Sequence, residues 1–397
     1  MQIDEPGSPG VESFDFDTIV DRRASSSVKW DRFAGRDVIP LWVADMDFRS
    51  TRTVLEALHR RVDHGVFGYT YPAEALQSAV VDHFRRSYDW TIEPDWLLWL
   101  PGVVTGLSVA CRAVGRVGDE VLTCSPVYPP FMTVPAAMGR TAVIVPLRQD
   151  GPRWTMDLAA LERAITSRTR LFLLCQPHNP VGRLWDWAEL GALAALAHQH
   201  DLIVCSDEIH ADLILEPGLR HRPLAMLDPE TARRTITLHA PSKSYNIPGL
   251  GCSFAVVADP VLRRRLRQAM AGIVPEVNLL GLAAAEAAYR HGEPWRLALI
   301  AYLRGNRDLV MAAVATMTGL RMAPVEATYL AWIDTRDSGI PDPEAFFTAA
   351  GVGLSDGAAF GLPGFVRLNF ACTRSLLIQA LERMQRALSS RANAVPR

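Results

Sequence analysis

Four strings in this sequence carry side chains able to do chemistry, three of them directly after an apolar run. Gln176-Pro177-His178-Asn179-Pro180-Val181-Gly182 follows Leu171–Cys175, and Ser206-Asp207-Glu208-Ile209-His210 follows Leu202–Cys205. Ala240-Pro241-Ser242-Lys243-Ser244-Tyr245-Asn246 follows Thr235–His239, and Arg367 lies inside FVRLNF, Phe365–Phe370. A lysine amine attacks carbonyl carbon. A carboxylate such as Asp207 stabilises a positive charge beside it. The planar fork of an arginine matches a carboxylate. Taken singly, each string is ordinary. N-P-x-G marks a turn, an acidic pair at a strand end caps a helix or meets solvent, a loop lysine is a solvated charge, and an arginine in an alternating strand lies on an exposed face. Their joint order is the informative feature.

The elements that must position these residues alternate regularly. Short apolar, β-branched runs occur at Trp96–Leu100, Val121–Cys124, Ala142–Pro146, Leu171–Cys175, Leu202–Cys205, Thr235–His239 and Cys252–Val257. Between them lie helical patterns such as Asp157–Ile165 and Asp186–His198, the latter with apolar residues at three- and four-residue spacing and Asp186 at the N-cap position. Strands alternating with helices predict an α/β fold with a mostly parallel sheet covered on both faces. Ligands of such sheets sit at the carboxyl ends of the strands, where these polar strings fall. Farther on, Trp295–Met317 reads as one long helix, Ala327–Ile333 and Phe365–Phe370 as strands, and Thr373–Leu388 as a closing helix. The expected organisation is a large domain over 49–290, a smaller α+β domain over 291–397, and a segment, 1–48, that packs with the smaller one.

Composition narrows the class. The 397 residues are 49% hydrophobic and 21% charged, with a formal net charge of −2, which gives no reason to expect nucleic acid or an anionic membrane as partner. No apolar run approaches the roughly 18 residues of a membrane span. Met1–Gly10 reads as a mobile tail, neither signal nor transit peptide. Six cysteines include no C-x-x-C pair, and Cys124, Cys175 and Cys205 sit in or beside apolar runs as buried thiols. The chain is expected to be cytoplasmic and free of metal.

Asn179, Asp207 and Lys243, spaced by 28 and 36 residues, resemble the aspartate-aminotransferase superfamily of pyridoxal 5′-phosphate (PLP) enzymes, fold type I, over nearly the whole chain. The resemblance implies a seven-stranded sheet and PLP carried by Lys243 as a Schiff base. It implies that Asp207 holds the protonated pyridine nitrogen, that Asn179 donates to the phenolic oxygen, and that Arg367, with Asn179, binds the substrate α-carboxylate. Tyr128 matches the ring that stacks on the cofactor. Leu100-Pro101-Gly102-Val103-Val104-Thr105 follows a strand and opens a helix, so its free N–H groups suit a phosphate.

Longer strings are similar to the cystathionine β-lyase-like C–S lyase branch: Val28-Lys29-Trp30-Asp31, Trp42-Val43-Ala44-Asp45-Met46-Asp47-Phe48, His64-Gly65-Val66-Phe67-Gly68-Tyr69, Asp207 to Asp212, and Thr328-Tyr329-Leu330-Ala331-Trp332. His210 stands where most aminotransferases carry a tyrosine, and Gly251 where they carry a phosphate-binding arginine. The branch implies a phosphate held by the Val103–Val104 backbone, by hydroxyls such as Ser242, and by Tyr69 of a partner subunit, hence a homodimer with shared sites. Ala240 departs from the serine common there. The implied reaction is α,β-elimination on L-cystathionine or a related cysteine S-conjugate, with Lys243 taking the Cα proton and thiol, pyruvate and ammonia as products. The alternatives are an aminotransferase on the same scaffold and a specialised-metabolism PLP enzyme acting on an S-conjugated amino acid. A PLP-binding transcriptional regulator is not expected, because the enzyme-like sequence starts by Phe14 and the net charge is wrong for DNA.

Overall fold

The computed structural model describes residues 14–394; the Met1–Gly10 tail lies outside them. Seven strands build the main sheet: β1 Leu97–Leu100, β2 Glu120–Ser125, β3 Thr141–Pro146, β4 Thr169–Cys175, β5 Ile203–Asp207, β6 Thr235–His239 and β7 Ser253–Val256. Their spatial order is β1-β7-β6-β5-β4-β2-β3, parallel throughout except for β7, which runs against both its neighbours. Central strands such as β6 are buried along their whole length, as expected for a sheet covered on both faces.

Eight helices matter here: α1 Arg52–Asp63, α2 Glu74–Tyr88, α3 Val103–Ala113, α4 Trp187–Gln199, α5 Pro260–Met270, α6 Leu279–His291, α7 Glu293–Thr316 and α8 Arg374–Ala394. Asp186 caps α4 with a reciprocal bond to Glu189, so two otherwise unpaired backbone donors are satisfied. On one side of the sheet, Leu107 and Ala110 of α3 and Leu262 and Leu266 of α5 join one core with β6 residues Ile236 and Leu238. Helix α3 rests close to the sheet because residue 106 is glycine. A Cβ there would come within 2.8 Å of Leu238. On the other side, Leu190, Leu193 and Ala197 of α4 pack with Phe172 and Leu174 of β4. Helices α1 and α2 are additional to the expected elements and flank the His64–Tyr69 string.

A second, antiparallel sheet follows: β8 Arg321–Met322, β9 Leu330–Asp334, β10 Ser355–Asp356 and β11 Phe365–Asn369, in the order β8-β9-β11-β10. The N-terminal segment lies against it. Ile39–Pro40 pairs in parallel with Val352–Gly353, and Asp47 N–H donates to the Ala371 carbonyl at 2.9 Å. Residues 41–48 form a strap with little regular structure, so their backbone groups need outside partners. Asn369 Nδ2 donates to the Val43 and Asp45 carbonyls at 2.6 and 2.7 Å. Asn246, three residues after Lys243, accepts from Met46 N–H and donates to the Met46 and Phe48 carbonyls. The strap is thereby tied to both sheets.

An ion cluster anchors its far end. Lys29 is fully buried, and its Nζ meets Asp47 Oδ2 at 2.7 Å. Arg22 and the Trp30 ring N–H bind Asp47 Oδ1 at 2.8 and 2.9 Å. Burial alone would raise the Asp47 pKa, but Lys29 and these hydrogen bonds outweigh it and hold the carboxyl below its usual range. No helix among the described residues is long and apolar enough to cross a membrane.

Replacing Asp47 by Ala leaves the buried Lys29 ammonium with only the Asp45 carbonyl at 3.2 Å and the Asp45 carboxylate at 3.7 Å, and is expected to cost about 3 kcal/mol, read by chemical denaturation. Because the folded pKa is depressed, the stabilisation from Asp47 is present above the unfolded pKa of about 3.9 and is lost as pH falls through the folded value. The D47A variant should therefore show a shallower loss of stability on acidification than the parent.

Candidate active site

The carboxyl ends of the strands converge on one cavity of about 360 Å³. Strand β1 runs into Pro101 and Gly102 and so into the first turn of α3, β5 ends on Asp207, and the loop after β6 delivers Ala240, Ser242 and Lys243. Tyr128 follows β2 and Asn179 follows β4; the Tyr128 N–H donates to the Asn179 carbonyl at 3.1 Å. Arg367 enters from the second sheet, in the middle of β11. The structure thus brings Lys243, Asp207, Asn179, Tyr128, His210, Val103, Val104, Ser242 and Arg367 to the lining of the same cavity. Tyr69 is not among them. It lies fully exposed on the loop between α1 and α2, outside the lining formed by its own chain.

Three enclosed charges define the electrostatics. Lys243 Nζ donates to the Ala44 carbonyl at 2.6 Å. Burial, reinforced by the positive charge of Arg367, lowers its pKa to about 8. Asp207 moves the other way. Burial raises its pKa to about 7, although the Ile209 N–H and the charge of Lys243 favour the ionised form. Arg367 Nη1 donates to Asn179 Oδ1 at 3.0 Å and Nη2 to the Trp42 carbonyl at 2.8 Å, while its Nε has no partner. Its guanidinium stacks over Phe360 at 4.6 Å. Among the described residues neither Asp207 nor Arg367 forms an ion pair. A buried charge without a counter-charge is costly, so each marks where a ligand charge of opposite sign belongs.

His210 is buried, its ring edge-on to Tyr329 with centroids 5.9 Å apart and its Nδ1 unpartnered. Burial, with Lys243 and Arg367 nearby, holds it neutral. The N-terminus of α3 has no side-chain cap, leaving its first N–H groups free at the cavity. Gly251 closes that end. Its φ is +57°, and a Cβ would lie 3.2 Å from the Pro101 carbonyl oxygen, so any side chain there would be strained.

Some contributors carry no motif. The Ala44 and Trp42 carbonyls, held by the strap, receive Lys243 and Arg367. Tyr329 also donates to the Ala44 carbonyl at 3.0 Å. Cys175 accepts from the Asn179 N–H at 3.4 Å and so holds the asparagine loop. All six cysteines are free and buried.

The sequence matches the aminotransferase class I and II family over residues 36–384. It is 37% identical to cystathionine beta-lyase PatB of Bacillus subtilis over 390 residues, covering 94% of this chain and all of that one. Among solved structures, OvoB superposes with a TM-score of 0.93 at 46% identity, over 95% of this chain and 100% of the other. Cystalysin from Treponema denticola, a structure containing pyridoxal 5′-phosphate, superposes with a TM-score of 0.91 at 32% identity, over 96% and 100%. The cavity fits that cofactor. It offers an amine for the aldehyde, an unpaired buried carboxylate for a cationic ring nitrogen, and uncapped helix N–H groups for a phosphate.

Since the neutral amine is the nucleophile, uptake of pyridoxal phosphate by apoprotein should accelerate as pH rises toward about 8 and level off above it. Stopped-flow absorbance measures this. Borohydride reduction should fix the cofactor on the Lys243 peptide, and Lys243→Ala should lack the absorbance band of the lysine-bound cofactor and yield no cofactor-labelled peptide.

Proposed function

Because this chain belongs to the class I and II aminotransferases of fold type I and, within them, to the cystathionine β-lyase branch, we propose that it is a PLP-dependent carbon–sulfur β-lyase acting on L-cystathionine or a related cysteine S-conjugate. The observation that carries this reading is the enclosed trio of Lys243, Asp207 and Arg367, the last two without an ion-pair partner among the described residues, in a chain similar to a cystathionine β-lyase over 94% of its length.

Bound pyridoxal phosphate supplies an electron sink for the negative charge left at Cα. The chain's own groups do the rest. Arg367 and Asn179 offer adjacent donors for the substrate α-carboxylate, so Cα is presented in one orientation. Asp207 provides the negative charge that keeps the ring nitrogen protonated. Lys243, with a pKa lowered to about 8, has an appreciable neutral fraction near neutrality and takes the proton from Cα. The Ala44 carbonyl, 2.6 Å from Nζ, gives that amine a fixed direction. Loss of the proton at Cα and of a thiolate from Cβ leaves a product that hydrolyses to pyruvate and ammonia. Ser242, Ser253 and the first N–H groups of α3 surround the end of the cavity suited to the phosphate. Tyr128 supplies an aromatic face and His210 a neutral polar one.

The active unit is a homodimer in this reading. Val66, Phe67, Tyr69 and Tyr71 stand exposed together on one loop, an apolar aromatic surface of the kind a second copy covers. Tyr69 then reaches the phosphate of the partner's site. Six buried free thiols accord with a reducing, cytoplasmic setting.

Incubation with L-cystathionine and no oxo acid should release pyruvate and thiol in equal amounts. Conversion of the cofactor to its amine form without pyruvate would instead establish transamination. Arg367→Met should lower kcat/KM by about a hundredfold or more, through loss of a charged partner to the carboxylate. Mixing the separately inactive Lys243→Ala and Tyr69→Ala proteins should restore activity as mixed dimers form. Monomers by light scattering, or no recovery, would remove the shared-site reading.

A further inference from the structure

Outside the cavity lining, a second set of polar side chains is sealed from solvent. Asp212, His83, Tyr88, His239 and Ser244 are all buried, and the reaction described above uses none of them. Asp212 Oδ1 accepts from Tyr88 Oη at 2.5 Å and from His83 Nε2 at 3.0 Å, while Oδ2 accepts from Ser244 Oγ at 3.2 Å. Arg296 Nη1 donates to the Asp212 carbonyl at 3.0 Å. Tyr88 Oη also meets His239 Nε2 at 3.0 Å, and His239 Nδ1 meets Tyr289 Oη at 3.2 Å.

One set of tautomers satisfies the whole group. His239 donates through Nε2 to Tyr88 and accepts from Tyr289 at Nδ1, and His83 donates through Nε2 and accepts from Ser87. Ligand atoms of His83, Asp212 and His239 lie within 4.8 Å of one another, close enough for a metal ion. Each of those atoms nevertheless has a protein partner of the right donor or acceptor sense, so the group is complete without an ion.

The Ser244 contact gives the network a direction. Asp212 stands two residues after His210 and five after Asp207, and Ser244 is the neighbour of Lys243. Both loops are internally folded. Ala211 N–H donates to the Glu208 carbonyl and Leu213 N–H to that of His210, while Tyr245 N–H donates to the Pro241 carbonyl and Ile247 N–H to that of Ser242. The Asp212–Ser244 bond joins one folded loop to the other by side chains. Helix α2 supplies His83 and Tyr88, which hold the carboxylate from the opposite side.

We propose that Asp212 is a positioning residue, fixing the Lys243 loop through Ser244 relative to the loop that carries Asp207 and His210. The inference rests on the cofactor reading above and deepens it. Proton transfer at Cα depends on sub-ångström placement of the lysine amine, and a displacement of about 1 Å costs as much as a hundredfold in rate.

Ser244→Ala removes the bridge and leaves the Asp212 carboxylate with its other donors. In the holoenzyme its kcat should fall about tenfold or more with KM changed less than about twofold, the pattern of a positioning defect in the reacting state. The visible circular dichroism of the bound cofactor should change as well, while the melting temperature stays close to that of the parent. Asp212→Asn should reproduce both effects; if that variant fails to fold, Ser244→Ala decides alone. Unchanged kcat and dichroism in Ser244→Ala would overturn the proposal, as would one tightly bound metal ion per chain by elemental analysis. A parent protein with visible cofactor dichroism but no pyruvate formation would refute only the lyase reading, with the dichroism still testing the bridge. A parent without any cofactor signal would overturn both.

Discussion

Enclosing unpaired charge is the constraint around which this structure is organised. Lys243, Asp207 and Arg367 line one cavity, and neither Asp207 nor Arg367 has an ion-pair partner among the described residues. Burial pulls Lys243 and Arg367 down and pushes Asp207 up, so each is shifted toward its neutral form. Such an arrangement opposes folding unless the surrounding framework holds it, and it becomes favourable only when ligand charges enter. Ligand groups of opposite charge, such as a cationic ring nitrogen at Asp207 and a carboxylate at Arg367, would supply the pairing that the protein leaves out.

The framework that holds these charges comes from parts of the chain far apart. Ala44 and Trp42 present carbonyl oxygens to Lys243 and Arg367, and those carbonyls belong to a strap with little regular structure of its own. Asn369, Asn246 and the Lys29–Asp47 ion pair hold the strap, two of them by satisfying backbone groups that would otherwise be buried unpaired. Removing one clamp therefore affects stability and the direction of the reactive amine together. The network around Asp212 does a similar job on the other side of Lys243, through a serine hydroxyl instead of a backbone carbonyl.

Much of the site was legible because it is written in local strings. A strand that ends on Asp207, a turn that carries Asn179 and a loop that carries Lys243 each need only neighbouring residues to be recognised, and their order follows the order of the strands. The bounds of Thr235–His239 follow directly from an apolar, β-branched run, and the strand expected at Phe365–Phe370 is found at Phe365–Asn369. Helices α1 and α2 are not among the expected elements, although Leu76, Val80 and Phe84 of α2 recur at helical spacing and are buried. The contacts that orient the chemistry left no mark of this kind. Lys243 and the Ala44 carbonyl are 199 residues apart, Arg367 and Asn179 are 188 apart, and a backbone oxygen has the same identity at every position.

The sequence by itself determined the class of fold, the cofactor and the identity of its principal side chains. An amine, a carboxylate, an amide and a guanidinium are identified by residue type alone, and short-range patterns set the elements that carry them, while burial in the fold sets how readily each ionises. Only the tertiary structure decided that these four meet in one cavity, that Tyr69 does not join them from its own chain, and that His83, Asp212 and His239 gather apart from it. The physical reason is distance along the chain. Hydrogen-bond direction, desolvation and the pairing of charge depend on which remote segments pack together, and that is fixed by the packing of the whole molecule.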